Sequence, residues 1–207
     1  MAQFFSVHPE NPQPRLVRRA AEILRGGGVI IYPTDSCYAL GCQIGDKSAM
    51  ERIREIRQLD RRHHFTLVCR DLAEVGVYAR IDNRQFRLLK AATPGSYTFI
   101  LKATREVPRR LQHPSRKSIG LRIPDHRVVR ALLSELGEPI LSSTLLLPGA
   151  DVPLNDAEEI RSRLEHAVDL IIDCGSCGIT PTTVVDLTGA VPVLVRTGRG
   201  SVAALGL

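Results

Sequence analysis

Arginine is the residue type in this sequence with the clearest chemical use. A guanidinium group matches a phosphate or carboxylate through two parallel N–H bonds, which a lysine cannot do. Arg122 lies in the apolar run Ile119–Ile123, and Arg196 ends a second such run. A charge in an apolar strand is costly unless it has a partner or faces a cleft. We therefore interpret both as anion-binding residues; for Arg196, a structural ion pair with Asp173 or Asp186 is the alternative.

The densest basic stretch runs from Arg52 to His64. A helix that ends in a basic loop can gather phosphate oxygens around its guanidinium groups. Arg57 and Arg61 lie at or beyond the end of the predicted helix, which makes them the stronger candidates. Arg52 and the other arginines within the helix can instead pair with neighbouring glutamates on a solvated face. The two adjacent histidines lack nearby carboxylates at metal-ligand spacing, so no metal site is predicted.

Hydroxyl side chains cluster at the ends of predicted strands, in Ile30–Gly41, Ser142–Thr144 and Thr180–Thr183. Such side chains, together with free backbone N–H groups, hold phosphate or carboxylate in open α/β sheets. They are also ordinary turn residues, and a local turn around Thr34 is an equally good interpretation. The sequence has no G-x-S-x-G, no P-loop and no G-x-G-x-x-G after a strand, which disfavours a serine hydrolase, a Walker-type ATPase and a Rossmann dehydrogenase.

The elements that must position these side chains alternate between strand and helix. The predicted strands are Val29–Tyr32, Thr66–Cys69, Tyr97–Lys102, Ile119–Ile123, Pro139–Leu147, Asp169–Asp173, Thr183–Leu187 and Val193–Arg196. The predicted helices are Arg15–Arg25, Lys47–Gln58, Asn83–Ala91, His126–Leu136 and Ala157–His166. This alternation predicts a single α/β domain over residues 1–207, and the direct strand-to-strand steps predict a mixed, mostly parallel sheet with flanking helices.

Composition limits the class of partner and the compartment. The 207 residues include 28 Lys and Arg against 22 acids, a net charge of +6 that suits a polyanionic ligand. Five scattered cysteines are typical of a reducing, cytoplasmic environment, and we interpret Cys174 and Cys177 as loop residues rather than a metal or redox pair. The sequence has no apolar run near the roughly 18 residues of a membrane span.

Four motifs occur in a fixed order along nearly the whole chain: Tyr32–Gly41, Pro94–Leu101, Ile119–Pro124 and Pro181–Leu187. With them the chain resembles the YrdC/YciO family, most closely its YciO branch. The resemblance implies a twisted α/β sheet with a concave basic surface that binds double-stranded RNA or nucleotide. For the YrdC branch it implies an enzyme, a nucleotidyltransferase that makes threonylcarbamoyl-AMP and pyrophosphate from L-threonine, bicarbonate and ATP for a tRNA modification.

The reaction that the resemblance implies needs positioning and positive charge rather than a protein nucleophile. ATP would enter with Mg²⁺ as a substrate, and no protein-bound metal is expected. By the resemblance, Arg57 and Arg122 have catalytic roles and Thr34 contacts the threonine. The full set of implied substrate-binding residues is Thr34, Arg61, Thr66, Arg122, Ser143, Thr144, Thr182 and Arg196. Two alternatives keep the same cleft: a non-catalytic binder of double-stranded RNA or tRNA, and an adenylate-forming enzyme for another small substrate.

The chain departs from the synthase pattern at two places. Where the synthases carry Lys-x-Arg, this sequence has Arg57, Gln58 and Leu59. Where they carry an asparagine after Ser-Ala, it has Leu146. Losing a charge or a polar group that faces phosphate costs transition-state stabilisation. We therefore expect any synthase activity to be weak.

Overall fold

A mixed sheet of eleven strands forms the centre of the computed structural model, which describes residues 1–60 and 63–206. The strands are β1 (Gln3–Ser6), β2 (Ile30–Tyr32), β3 (Ala39–Gln43), β4 (Thr66–Val68), β5 (Ala79–Arg80), β6 (Tyr97–Ala103), β7 (Ser118–Arg122), β8 (Ile140–Thr144), β9 (Leu170–Asp173), β10 (Thr183–Asp186) and β11 (Val193–Arg196). The helices are α1 (Pro14–Arg25), α2 (Lys47–Arg57), α3 (Leu72–Tyr78), α4 (Asn83–Ala92), α5 (Arg127–Leu136) and α6 (Ala157–Leu164).

The strands lie in the order β1-β9-β2-β3-β8-β4-β7-β6-β10-β11, and β5 pairs with β6. The predicted mixed sheet with flanking helices is confirmed. The share of parallel strand pairings is lower than expected. Of the ten pairings in the described part of the chain, four are parallel and six antiparallel. Three of the six, β2–β3, β6–β7 and β10–β11, are direct returns between strands consecutive in the chain, and such returns produce antiparallel pairs. The other three are β3–β8, β4–β8 and β5–β6.

The two faces of the sheet are covered unequally. One face packs along its length against α2, α3, α4 and α6, through side chains such as Leu67, Phe99 and Leu121. On the other face, α1 and α5 pack against each other and cover β9, β2, β3 and β8, reaching Val68 on β4. The apolar cluster under α1 and α5 contains no residue of β7, β6, β10 or β11. This second face is therefore open over those four strands.

Helix boundaries follow local capping chemistry. Asp46 accepts a hydrogen bond from the Ala49 amide (2.9 Å) at the start of α2, and Asp156 accepts one from the Glu159 amide (2.8 Å) at the start of α6. Gly26 ends α1. These three signals are typical of helix termini. The cap at Asp46 fixes where α2 begins, and α2 then ends at Arg57.

The cysteines are free thiols, as predicted. Cys174 and Cys177 lie in the loop between β9 and β10, and burial raises the pKa of each to about 12. Thiols with such pKa values are protonated at neutral pH and react slowly. The structure of this loop agrees with the interpretation of the pair as loop residues.

Among the described residues, no helix is both long and apolar enough to cross a bilayer.

Candidate functional site

The open part of the sheet carries a cleft of about 210 Å³. Thr98 on β6 pairs with Val184 on β10, and Val184 pairs with Arg196 on β11. Arg122 ends β7, the strand on the other side of β6. Directly paired residues point to the same side of a sheet, so these side chains share the open face. All four line the cleft.

Most residues predicted for a site come together here. Seven of them line the cleft: Arg57, Thr66, Arg122, Ser143, Thr144, Thr182 and Arg196. Arg61 lies outside the described residues. The lining also includes residues that were not individually predicted to bind a ligand, namely Cys37, Tyr38, Ala39, His63, His64, Thr98, Ser142, Leu146, Pro181 and Val184. The cleft thus brings together residues from α2, β4, β7, β8 and β11, which are far apart in the sequence.

Arg122 is buried, with 8% of its surface exposed, and it has both a partner and a cleft. Its Nη2 forms an ion pair with Asp35, and its Nη1 donates to Ser36 Oγ at 3.2 Å. Asp35 in turn accepts a hydrogen bond from Ser96 Oγ at 3.0 Å. The Nε of Arg122 is buried and has no hydrogen-bond partner within the described residues. The guanidinium is thus fixed from one side by Asp35 and Ser36.

Arg57, the last residue of α2, reaches the opposite wall of the cleft. Its Nε donates to the Leu146 carbonyl oxygen at 2.9 Å, and its Nη1 donates to Ser143 Oγ. Burial lowers the pKa of Arg57 below its ordinary value, because desolvation disfavours the charged form. Its acceptors among residues 1–60 and 63–206 are neutral, so this partly desolvated cation is well suited to pair with an anion.

Arg196 is held by a backbone carbonyl. Its Nε and Nη2 donate to the Thr182 oxygen at 3.2 and 3.0 Å. The alternative of an ion pair with Asp186 is wrong, because Asp186 pairs with Arg116 at 2.8 Å. Within residues 1–60 and 63–206, no ion pair of Arg196 with Asp173 is found either. Burial lowers the pKa of Arg196, as it does for Arg57.

The charge of the cleft is one-sided. Three guanidinium groups line it, and its described lining contains no aspartate or glutamate. Asp35 forms an ion pair with Arg122, whereas the hydrogen bonds of Arg57 and Arg196 within the described residues go to neutral acceptors. Fixed positive charge in a concave, partly desolvated site attracts anions. The composition of the cleft therefore suits an anionic ligand.

His63 adds a neutral acceptor beside Arg57. Its Nε2 lies 3.4 Å from Ser143 Oγ. Burial, followed by the nearby charge of Arg57, lowers its pKa to about 4. The imidazole is therefore uncharged at neutral pH. Because Ser143 Oγ accepts from Arg57, its own proton is free to point to His63.

Thr34 is buried in a turn and does not line the cleft. Its Oγ1 donates to the Cys37 carbonyl oxygen at 2.7 Å and accepts from the Ser36 amide at 3.1 Å. This is the local turn that the sequence left as the alternative interpretation. The neighbouring Asp35 side chain points out of the turn and pairs with Arg122. Cys37, and not Thr34, lines the cleft. A contact of Thr34 with a ligand stays a prediction.

No group of three His, Cys, Asp or Glu side chains in the described ranges is arranged to hold a metal ion.

Comparison with known proteins identifies the family. The model of the Sua5/YciO/YrdC family, described as "Telomere recombination", matches residues 22–198. The chain belongs to the Sua5/YciO/YrdC family. It is 59% identical over 202 residues to the YciO protein of Escherichia coli strain K12, which covers 98% of each chain. It is 31% identical over 180 residues to the threonylcarbamoyl-AMP synthase of Chromobacterium violaceum, which covers 86% of this chain and 92% of the synthase.

Solved structures agree with this assignment. The crystal structure of E. coli YciO superposes with a TM-score of 0.95 at 58% identity, over 99% of this chain and 100% of YciO. The crystal structure of P. abyssi Sua5 complexed with L-threonine superposes with a TM-score of 0.86 at 26% identity, over 94% of this chain and 57% of Sua5. The fold of the Sua5/YciO/YrdC family therefore extends along this chain.

The two departures from the synthase pattern of the Sua5/YciO/YrdC family have different structural consequences. Leu59 is partly buried and packs against the core under α2, so the side chain at this position does not enter the described lining of the cleft. Leu146 does line the cleft, and its carbonyl oxygen holds Arg57. The cleft thus keeps a cation at position 57 and loses two polar side chains of the synthase pattern.

Proposed function

We propose that this cleft binds ATP and L-threonine, and that the protein is a nucleotidyltransferase of the threonylcarbamoyl-AMP synthase type with weak activity. The observation that carries the proposal is the convergence of Arg57, Arg122 and Arg196, from three separate elements, on one cleft whose described lining has no carboxylate. The 31% identical synthase and the L-threonine complex of Sua5 support it. The free, scattered cysteines favour the cytoplasm as the place of action.

In the proposed reaction, the amine of L-threonine condenses with bicarbonate to a carbamate and releases water, and this carbamate attacks the α-phosphorus of ATP. A P–O bond to the carbamate forms, the bond to the β-phosphate breaks, and pyrophosphate leaves. The protein supplies no nucleophile. Arg57 and Arg196 balance the negative charge that develops on the phosphates, and Arg122, fixed by Asp35, orients an anionic group of the substrate. Mg²⁺ accompanies ATP as part of the substrate.

Pyrophosphate release tests this reaction. We expect release from ATP that requires both L-threonine and bicarbonate. Arg196→Gln should reduce its rate about a hundredfold, because one charged donor to the transition state is lost. Arg18→Gln, on the exposed surface of α1, is the matched control and should keep the rate of the natural protein. Release that ignores threonine, or no release from folded protein, would contradict the proposal.

A second candidate function is binding of double-stranded RNA or tRNA. The observation that favours it is a group of exposed basic residues in the loop between β6 and β7, beside the open face: Arg105, Arg109, Arg110, Arg116 and Lys117. Phosphate contacts of this kind make affinity fall steeply with salt. We expect Arg109→Ala to weaken RNA binding and to reduce its salt dependence, with Arg18→Ala as the control. Binding that does not change with salt would exclude this function.

A further inference from the structure

The wall of the cleft formed by β3 and β8 ends in three apolar side chains. Ala39 at the start of β3 pairs with Thr144 at the end of β8. Two positions further in the same antiparallel register are Cys37 and Leu146, so these two residues face each other. Cys37, Ala39 and Leu146 all line the cleft, and we call them the apolar corner. Burial raises the pKa of Cys37, so its thiol is uncharged and packs as a small apolar group.

The apolar corner adjoins Arg122. Cys37 directly follows Ser36, and Ser36 Oγ accepts a hydrogen bond from Arg122 Nη1 at 3.2 Å. The whole cleft measures only about 210 Å³. An α-amino acid whose carboxylate pairs with Arg122 therefore places its side chain within reach of the corner.

The hydroxyl groups of the turn beside Arg122 are already used within the protein. Thr34 Oγ1 donates its proton to the Cys37 carbonyl oxygen at 2.7 Å. Ser36 Oγ lies 3.0 Å from Thr34 Oγ1, and with the Thr34 proton engaged it is Ser36 that donates in this contact. Each hydroxyl has a single proton. Neither residue therefore has a donor left for the side chain of a ligand.

Two hydroxyl groups on β8 are also engaged. Ser142 Oγ accepts from the Tyr32 hydroxyl at 2.8 Å and donates to a β3 carbonyl oxygen at 3.1 Å. Ser143 Oγ accepts from Arg57 and lies 3.4 Å from the Nε2 of the neutral His63. A hydroxyl group on a ligand would have to compete with these contacts.

Thr144 is the remaining hydroxyl of this wall, and it has no hydrogen-bond partner among residues 1–60 and 63–206. A ligand hydroxyl in the corner thus meets one free hydroxyl and three apolar side chains. At position 146 the synthase pattern carries asparagine, whose amide both donates and accepts, whereas this chain carries leucine. The exchange removes polar character from the corner.

L-Threonine and L-valine have nearly the same shape, because a methyl group in valine replaces the hydroxyl of threonine. A wall that hydrogen-bonds the hydroxyl rejects the analogue that lacks it. A mostly apolar wall does not compensate the hydroxyl for its lost water, and it gains from burying the methyl group. The chemistry of the corner therefore decides between the two amino acids.

We propose that the apolar corner makes this cleft selective for a β-branched aliphatic amino acid, with L-valine bound in preference to L-threonine, and that Leu146 determines this selectivity. The inference rests on the proposed function in one respect, the amino-acid carboxylate at Arg122. It differs from that function in the preferred side chain.

Calorimetric titration of the natural protein with two ligand pairs tests the selectivity. L-Valine is compared with L-threonine, and L-2-aminobutyrate with L-serine, which is the same exchange of methyl for hydroxyl without the branch. We expect the methyl member of each pair to bind about tenfold more tightly. We also expect valine to bind more tightly than 2-aminobutyrate. Equal binding within the pairs, tighter binding of the hydroxyl members, or no binding of valine would overturn the inference.

Two variants of the loop between β8 and α6 locate the effect. Leu146→Asn keeps the backbone carbonyl that holds Arg57 and should remove the preference for valine. Val152 is 53% exposed and does not line the cleft, so Val152→Asn is the control and should keep the preference. A preference for valine that persists in folded Leu146→Asn would overturn the role of Leu146. The ligand pairs on the natural protein decide the selectivity even if this variant does not fold.

Failure of this inference is distinguishable from failure of the proposed function. Titration needs neither ATP nor turnover, whereas the proposed function is tested by pyrophosphate release. If threonine binds more tightly than valine and supports pyrophosphate release, the selectivity is wrong and the function stands. If valine binds more tightly, Leu146→Asn removes the preference and no pyrophosphate is released, the selectivity holds and the reaction is wrong.

Discussion

The buried pair of Arg122 and Asp35 is the residue contact on which the site depends most. Both side chains are about nine-tenths buried, and 87 positions separate them in the sequence. Removing one partner from a buried pair leaves a charge in a poorly solvated place, whereas replacing both by apolar residues is often tolerated.

Arg122→Met should therefore lower the free energy of unfolding by about 3 kcal/mol. The double variant Asp35→Leu/Arg122→Met should recover most of this loss, because no charge is then left without a partner. Urea denaturation of the natural protein and of the single and double variants measures the coupling. Additive losses would show that the two residues do not act as a pair.

His63 gives a pH dependence with a definite sign. Its pKa lies at about 4 in the folded protein and at 6.5 in the reference state, so the unfolded chain takes up a proton first as the pH falls. The stability due to the neutral imidazole is complete above the higher pKa and is lost between the two values.

We expect the stability of the natural protein to fall between about pH 6.5 and pH 4 more steeply than that of His63→Gln. The matched control is His166→Gln, since the His166 side chain is 79% exposed. Thermal unfolding at a series of pH values measures both. Identical slopes for the natural protein and His63→Gln would contradict the burial of His63.

Leu146 occupies the cleft where the synthase pattern carries asparagine. Its backbone carbonyl, and not its side chain, holds Arg57, so a substitution keeps that contact. If the loss of a polar contact weakens the proposed reaction, Leu146→Asn should raise threonine-dependent pyrophosphate release about tenfold. A rate equal to that of the natural protein would show that the leucine does not limit activity.

Single residues were predictable where their type conflicted with their surroundings. Arg122 and Arg196 stood out as charges in apolar runs, and both line the cleft. Asp35 lies in Ile30–Gly41, a segment that was a candidate for ligand binding from the sequence. Its pairing with Arg122 was not predicted, because a partner 87 positions away leaves no local signal in the sequence. His63 was noted only as part of a basic stretch, since its neutral state is a result of burial.

At the scale of elements, β3 has to pass very close to its neighbours. A Cβ atom on Gly41 would lie 2.7 Å from both Ile140 Cγ2 and Tyr32 Cε1, all in the core beneath α1 and α5. Gly76 in α3 has no atom within 4 Å of such a position and is exposed. The two glycines therefore form a matched pair with opposite expectations.

Gly41→Ala should destabilise the protein by about 2 kcal/mol through overpacking of the core. Gly76→Ala should stabilise it by about 0.5 kcal/mol, because alanine favours the helix. Chemical denaturation of both variants measures the difference. A neutral Gly41→Ala would mean that β3 can move away from β8 without cost.

The elements that were predicted have long apolar runs or clear capping residues, and all eight predicted strands and five predicted helices occur. Those not predicted are β1, β3 and β5, with two to five residues, and α3, with seven. In α3, valines and a glycine weaken the helical pattern, and the helix depends on the cap at Asp71 and on packing of Val75. Such elements are decided by tertiary contacts that a local pattern does not contain.

On the scale of the whole molecule, the site exists because helices cover only part of one face of the sheet. The pair α1 and α5 covers one end of a face and leaves β7, β6, β10 and β11 open. The cleft lined by Arg57, Arg122 and Arg196 occupies that open area. The sequence predicted an α/β sheet with a concave basic surface by resemblance. Where the helical layer stops could not be read from the periodicity of each helix, because it depends on strand order.

The central claim is that L-threonine and ATP bind in the cleft formed by Arg57, Arg122 and Arg196. A crystal structure of the protein with L-threonine and a non-hydrolysable ATP analogue tests it most directly. We predict phosphate oxygens within hydrogen-bond distance of Arg57 and Arg196, and the amino acid beside Arg122. Both ligands bound away from these three side chains, or an empty cleft at saturating concentrations of both, would contradict the account.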